Sequence, residues 1–352
     1  MTISTRTLTR TLWQRLQLVP GHRTTTGVSA TVEHVIGLQA QDNLPPYLSL
    51  AARVDGFVPA DLSDLLESRA LVRMLTMRGT VHVLSGDDAL ALRPWVQPAL
   101  DRIGASNQTS RPAAHVPTER LDAVLRDFLG DEARPLAAIG ARLVEEFPDV
   151  PEVALKHVVR ERLPLLQAPP RGLWKRSGGV SYAYVDRYLG RDLAEPDVET
   201  LVLRYLAAYG PATAADMTTW STVTRLGPVF TAMARSGRLG TVTDERGRTL
   251  FDAAGAELAD EDLSLPVTLL GKYDNVFLSH ADRDRITPDA VRTRWMGANG
   301  GVAATLFVDG LLAGLWRVEG DRVVVEPFAT LTKAQRSELD AEITRVETLL
   351  SS

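Results

Sequence analysis

Short helix-period runs, each closed by a hairpin signal, recur along this chain, and that recurrence limits the fold more than any other feature. In the first set, Leu8, Leu12 and Leu16 fall every four residues over 6–18. Val32, Val35 and Ile36 sit at i, i+3 and i+4, and Leu62, Leu65 and Leu66 mark a helix over 59–68. Residues 71–84 then read as strand–turn–strand, with Thr80 and His82 on one face and Val81 and Val83 on the other. In the second set, helices are expected over 118–130, 136–146 and 152–163. Residues 165–174 follow, too proline-rich for a helix and suited to a hairpin edge. In the third, Val202, Tyr205, Leu206 and Tyr209 form a helix face stopped by Gly210-Pro211, and a short helix ends at Trp220. Ser221 is placed to cap a last helix bearing Leu226, Val229, Phe230 and Met233, before a wing over 237–251. Helices closed by a hairpin are the winged-helix pattern, and two helices on a tight turn suit DNA.

The C-terminal quarter has a different texture. Residues 267–270, 303–308, 311–318 and 322–327 read as strands, with Asp309-Gly310 a strong hairpin turn, and 331–350 as a closing helix. The expected fold class is α+β: three tandem winged-helix units (1–110, 111–195 and 196–258), then a β-barrel-like domain with a closing helix (259–352).

The chain has 352 residues and no cysteine, which removes disulfides, thiolate metal sites and a cysteine nucleophile together. Six scattered histidines offer no ligand-spaced pair, so no metal or cofactor is expected. No run of 18 apolar residues and no signal-peptide core occur, so a cytoplasmic protein without a membrane partner is expected, nucleoid-associated when on DNA. Net charge is −5, but the balance is local. Residues 1–23 and 152–187 each carry a net +4, and 252–262 carry −5. Local patches, not net charge, steer binding. Only four of the 39 cations are lysine; arginine suits phosphate and base contacts, and equally reflects a GC-rich genome.

Gly37-Leu38-Gln39-Ala40-Gln41-Asp42 is the most pointed chemistry in the chain. The helical run is expected to give out near Gln39, before Pro45-Pro46. Two residues apart on extended chain, both amides share a side. The same residues also suit a solvated helix end. The segment 274–283, dense in polar groups between apolar ones, reads either as a site or as a buried network tying the C-terminal unit to the core. Signatures of P-loops, dinucleotide folds, zinc proteases and hydrolase elbows are absent.

Five stretches taken together resemble the AlkZ-type DNA glycosylases: 37–42, Met77-Arg78-Gly79-Thr80-Val81-His82, 166–174, 209–220 and 274–283. Each is weak alone; five in order, spanning about 30–330, are specific. The resemblance implies tandem winged helices, no cofactor, and a catalytic Gln-x-Gln motif that falls on Gln39 and Gln41. It associates this form, rather than Gln-x-Asp, with self-resistance to bulky DNA-alkylating natural products.

Such a pair suits one chemistry. Neutral amides are poor acids and bases, but alkylation at guanine N7 makes the base a ready leaving group. The amides then need only orient a water and face an oxocarbenium-like sugar. No lysine stands near Gln39 in sequence, which argues for a monofunctional enzyme without a Schiff base. The expected partner is double-stranded DNA bearing alkylated purines, and the expected state a monomer. DNA contacts are expected from Arg78, Thr80, His82, Lys156, Arg160, Arg171, Lys175 and Arg176, and support from Asp42, Asp274, Asn275, Ser279, His280 and Arg283. Asp42 competes as a general base. A non-catalytic winged-helix regulator and a drug-sequestering protein are the alternatives.

Overall fold

The structure, a computed structural model, describes residues 2–291, 293–295, 302–320 and 322–352. Among the described residues, three sheets and the helices on them make an α+β architecture. The largest sheet is antiparallel and orders its strands Leu38–Gln39, Val81–Ser85, Leu71–Leu75, Leu165–Ala168, Ser181–Tyr184 and Arg134–Pro135. It is thus the expected hairpin over 71–84 joined edge to edge to a second one. The first strand of that second hairpin starts the expected edge at 165, and its return strand, Ser181–Tyr184, is not among the expected elements. Arg73 lies opposite Gln167 and Met74 opposite Leu166. Pairing satisfies two strand edges at once and carries one sheet across the division placed at 110/111.

The other expected elements form largely where periodicity put them. In the third set, helices Val198–Tyr209, Ala214–Ser221 and Gly227–Arg235 precede the hairpin Leu239–Asp244 and Thr249–Ala253, which Thr2–Ile3 extends in parallel. Thr213 and Asp216 form a capping box at the second of these helices. Ser221 does not cap the third: it ends the second, and its hydroxyl donates to the Met217 carbonyl. Helix Gly86–Ser106, 21 residues long and containing Pro94 and Pro98, is not among the expected elements. Ser85 caps it, and Asp87 and Asp88 lie on its first turn, where the helix dipole favours acids.

The C-terminal unit is not a closed barrel. Among the described residues, Thr268–Leu270, Ala304–Val308, Leu311–Glu319 and Arg322–Pro327 form an open antiparallel sheet in that order. Asp309 and Gly310 both take positive φ, as a tight two-residue hairpin turn demands. Helix Lys333–Ser351 closes one face through Leu339, Val346 and Leu349. A shared apolar core binds this unit to the rest, running through Trp13, Ile36, Val83, Tyr205, Trp220 and Phe307. The helices over 118–162 have their own core around Leu125, Ile139 and Leu155. No described helix is long and apolar enough to cross a membrane.

Candidate active site

The glutamine segment is not a helix end. Helix Val28–His34 stops five residues before Gln39, although Val35 and Ile36 are fully buried as their period requires. Ile36 (φ +50°) and Gly37 (φ +96°) turn the chain sharply. Gly37 is needed twice over. Its φ strains any side chain, and a Cβ there would lie 2.5 Å from Leu84 Cδ2 and 3.1 Å from the Val83 carbonyl. The chain then adds a two-residue strand to the sheet edge, Leu38 opposite Val83 and Gln39 opposite His82, and the Ala40 amide donates to the Val81 carbonyl at 2.7 Å. The prolines expected to stop a helix sit in the first turn of the next one, Leu44–Ala51.

The two amides are not equivalent. Gln39 is 7% exposed and lies on the sheet face of its partners His82 and Met74. Gln41 is exposed, beyond the strand, and its Oε1 lies 3.4 Å from the Val81 amide. Arg78 makes the difference. One guanidinium nitrogen donates to Gln39 Oε1 at 3.0 Å and to His82 Nε2 at 2.8 Å, and the other donates to the Trp220 carbonyl. His82 Nε2 must therefore accept, which puts the ring proton on Nδ1, beside the Thr80 carbonyl (3.0 Å) and Thr76 Oγ1 (3.1 Å). Burial, then the Arg78 charge, hold the His82 pKa well below its usual value, so the ring is neutral. Burial also lowers Arg78, to about 10, leaving it a cation at neutral pH. With its carbonyl anchored, Gln39 has only its amide nitrogen unbonded among the described residues.

Distant parts of the chain hold this segment in place. The Tyr209 hydroxyl donates to the Val35 carbonyl. Asn275 Nδ2 donates to the Gly37 carbonyl at 3.0 Å, and Arg73 Nη2 to the Ala40 carbonyl at 2.8 Å. Tyr209 is braced in turn, since His280 Nε2 donates to its carbonyl at 3.0 Å and Ser279 donates to His280 Nδ1 at 2.8 Å. Gly172 packs over Arg73 so closely that a Cβ would lie 2.4 Å from Arg73 Cδ. Asp274 forms a buried two-pronged pair with Arg53, at 2.7 and 2.9 Å. Arg283 Nε donates to the Phe277 carbonyl at 2.8 Å, and its guanidinium sits over the Trp295 ring. Asp274, Asn275, Ser279, His280 and Arg283 are therefore framework. Asp42 is exposed, 3.9 Å from Lys272 Nζ, and is not among the residues that line the cleft described next. Lys272 is the lysine that sequence distance concealed.

Gln41 lines a cleft of about 440 Å³. Its floor is the joined sheet, through Leu75, Val81, Gln167 and Tyr182, and helices Gly86–Ser106 and Glu152–Arg162 wall it with Ile103, His157 and Arg160. The volume suits a small-molecule-sized group. Gln39 is not part of the lining: it shares the sheet face of His82 and Met74, opposite to that of the floor residues Leu75 and Val81.

The expected DNA contacts divide. Arg160 and Arg171 reach the cleft with no acid paired to them among the described residues, and Arg176 is exposed and likewise unpaired. Lys156 is taken by Glu152, and Lys175 by the Ser352 carbonyl at 2.7 Å. Thr80 turns its hydroxyl to the Met77 carbonyl. His82, 1% exposed, is sealed from any phosphate, and Arg78 faces inward; both serve Gln39 instead. Arg73, Tyr209 and the cleft residues His157 and Gln167 were missed as site residues. Arg73 had left a signal: an arginine inside the apolar run Leu71-Val72-Arg73-Met74-Leu75 must find an acceptor.

Comparison with known proteins decides the family. The sequence model described as "DNA glycosylase AlkZ-like" matches residues 32–349, which contain the glutamine segment and everything that braces it. The chain belongs to the AlkZ-like DNA glycosylase family. Among the relatives of this AlkZ-like chain is the "Interstrand DNA cross-link repair glycosylase" of Streptomyces sahachiroi. It is 27% identical over 340 residues, covering 90% of this chain and 88% of that one. The solved structure of the Streptomyces sahachiroi DNA glycosylase AlkZ superposes with a TM-score of 0.79 at 22% identity, over 100% of this chain and 98% of that one. At that identity the superposition speaks for the AlkZ fold alone.

Proposed function

We propose that this AlkZ-like chain is a monofunctional N-glycosylase for cationic N7-alkylguanine in duplex DNA, including bulky adducts and interstrand crosslinks. The observation that carries this reading is Gln41 in the cleft with Gln39, two residues before it, anchored at the sheet edge by Arg78. The crosslink activity named for the Streptomyces sahachiroi relative supports it. In this reading the three helix-and-hairpin sets are winged-helix units that frame the cleft, divided near 110, 195 and 258.

The chemistry follows from which atoms are free. The alkylated base carries a positive charge and leaves neutral, so no strong acid is required. Gln41 Oε1, beside the Val81 amide that donates to it, accepts a hydrogen bond from the attacking water. It presents that negative dipole end to the sugar as it becomes oxocarbenium-like, and the water's proton passes to solvent as the C–O bond forms. Gln39, whose oxygen belongs to Arg78, offers N–H donors to an oxygen of the substrate. Positioning of this kind, rather than proton transfer, is what two amides contribute. Arg160, Arg171 and Arg176 hold phosphates, and the enzyme acts as a monomer.

The test is release of base from duplexes carrying small and bulky N7-alkylguanine, with borohydride trapping as a second arm. Wild type releases base and leaves no trapped adduct. Gln39→Ala and Gln41→Ala each lose roughly 100-fold or more in single-turnover rate while DNA binding persists. Binding with no release would favour the regulator reading, and a borohydride-trapped Lys272 would end the monofunctional one.

A further inference from the structure

Two cavities, not one, flank the catalytic segment. Beyond Gln41 the chain enters a second pocket of about 250 Å³, lined by Asn43, Leu44, Tyr47, Leu173, Trp174 and Leu350, with Lys175 and Arg176 at its edge. Leu44 follows Gln41 by three residues, which keeps their Cα atoms within about 11 Å. The wall between the cavities is one loop: Arg171 lines the cleft, and Leu173 and Trp174 line the pocket. The pocket has a flat, aromatic character. Trp174 is half-exposed and stands 4.7 Å from the Tyr47 ring, which is 1% exposed and donates to the Gly172 carbonyl at 2.8 Å. The Trp174 indole N–H is tied to the Ser352 carbonyl at 3.0 Å, so the ring is held rather than free to turn. The Lys175 ammonium lies 5.7 Å from the Trp174 ring centre, and Arg176 is exposed beside it.

We propose that this pocket takes the planar aromatic part of a bulky N7 adduct, stacked on Trp174, while the alkylated nucleotide faces Gln41. The inference rests on the glycosylase reading and adds the determinant of adduct size to it. A 250 Å³ pocket is below the span of about 300–1,000 Å³ for a whole small ligand, so it fits a ring system and not a complete molecule. A held indole offers a stacking face to any flat ring, and stacking of this type is tolerant of ring identity. Arg176, exposed and with no acid paired to it among the described residues, places positive charge at the rim, where the strand that carries the adduct would pass. A methyl adduct has nothing to put there and gains nothing from the pocket.

The experiment compares two duplexes, one with N7-methylguanine and one with N7-(naphthylmethyl)guanine, using wild type, Trp174→Phe, Trp174→Ala and Leu350→Trp. Leu350→Trp fills the pocket from the C-terminal helix and leaves the catalytic segment alone. For the naphthylmethyl duplex, Trp174→Ala and Leu350→Trp raise KM about tenfold or more, and Trp174→Phe recovers most of the loss. For the methyl duplex all four proteins stay within about twofold. Equal losses on both duplexes, or no loss on either, would overturn the proposal. If wild type releases no base at all, anisotropy binding of the same duplexes decides. A preference for the naphthylmethyl duplex that Trp174→Ala and Leu350→Trp abolish sustains the pocket while the glycosylase reading falls. Equal affinity overturns the pocket as well.

Discussion

At Arg78 a guanidinium is turned inward against three neutral acceptors, with no carboxylate paired to it among the described residues. Leaving a cation in such a place is costly, and burial is the first cause that draws its pKa down to about 10. The chain also holds Arg78 at φ +58°, a left-handed conformation that non-glycine residues rarely adopt. Strain and an unpaired charge at one residue point to a task, and the task visible in the geometry is to fix the Gln39 amide. Arg78→Met should therefore lower kcat by about 10- to 100-fold on N7-methylguanine DNA, with KM nearly unchanged, because the amide is released from its anchor. Arg78→Lys should recover only part of this, since an ammonium cannot span three acceptors as the planar fork does. A single-turnover assay with a parallel melting curve reads both. If KM rises and kcat holds, Arg78 is a DNA contact after all.

At the scale of the element, residues 35–41 form almost no regular structure of their own. A two-residue strand has little independent stability; its carbonyls are claimed by Tyr209, Asn275 and Arg73, from parts of the chain up to 238 residues away. This explains what was legible and what was not. The motif order, the hairpin over 71–84 and the two glutamines could be read from residue types. Support from Asn275 was expected, but its acceptor, the Gly37 carbonyl, was not, and the part of Tyr209 was not legible at all, because nothing local to either residue names its distant acceptor. The helix expected to reach Gln39 failed at Ile36: a β-branched residue at φ +50° contradicts its own preference, and tertiary packing overrode the period. Helix Gly86–Ser106 was not among the expected elements; it holds two prolines, and burial of Leu92, Val96 and Leu100 sustains it. Gly37→Ala tests the element. It meets a positive φ and Leu84 at once, so a loss of about 1–3 kcal/mol in unfolding free energy is expected, with a fall in base release larger than the fall in folded fraction. Thermal melting beside a single-turnover assay separates the two, and an unchanged rate per folded molecule would show that the turn does not set the glutamines.

Across the whole molecule, the segment 274–283 fastens the C-terminal unit to the third helix set, and His280 is the bolt. It lies against the Tyr209 carbonyl and the Ser279 hydroxyl, with Arg285, Asp216 and Arg283 the charged groups around it. Burial first, then Arg285, press its pKa from the usual 6.5 to about 3. The sign is set by which state binds the proton. Between about pH 6.5 and 3 the unfolded chain holds a proton on this histidine and the folded chain does not, so stability falls as pH falls across that window and levels off below it. Above 6.5 the group contributes no slope. One histidine contributes up to about 1.36 kcal/mol per pH unit inside the window. His34, His82 and His157 are shifted the same way and keep their share. His280→Gln removes one proton from the balance and retains an N–H to donate to Tyr209. It should be less stable than wild type at pH 7, where the ring packs and bonds better. Its deficit should shrink by roughly one unit of that slope for each pH unit below 6, and reverse near pH 5. Urea unfolding at pH 7, 6, 5 and 4 measures the difference directly. Parallel curves for the two proteins would mean that the ring already carries its proton in the fold, paired with Asp216, and that the network is held by charge rather than by a neutral imidazole.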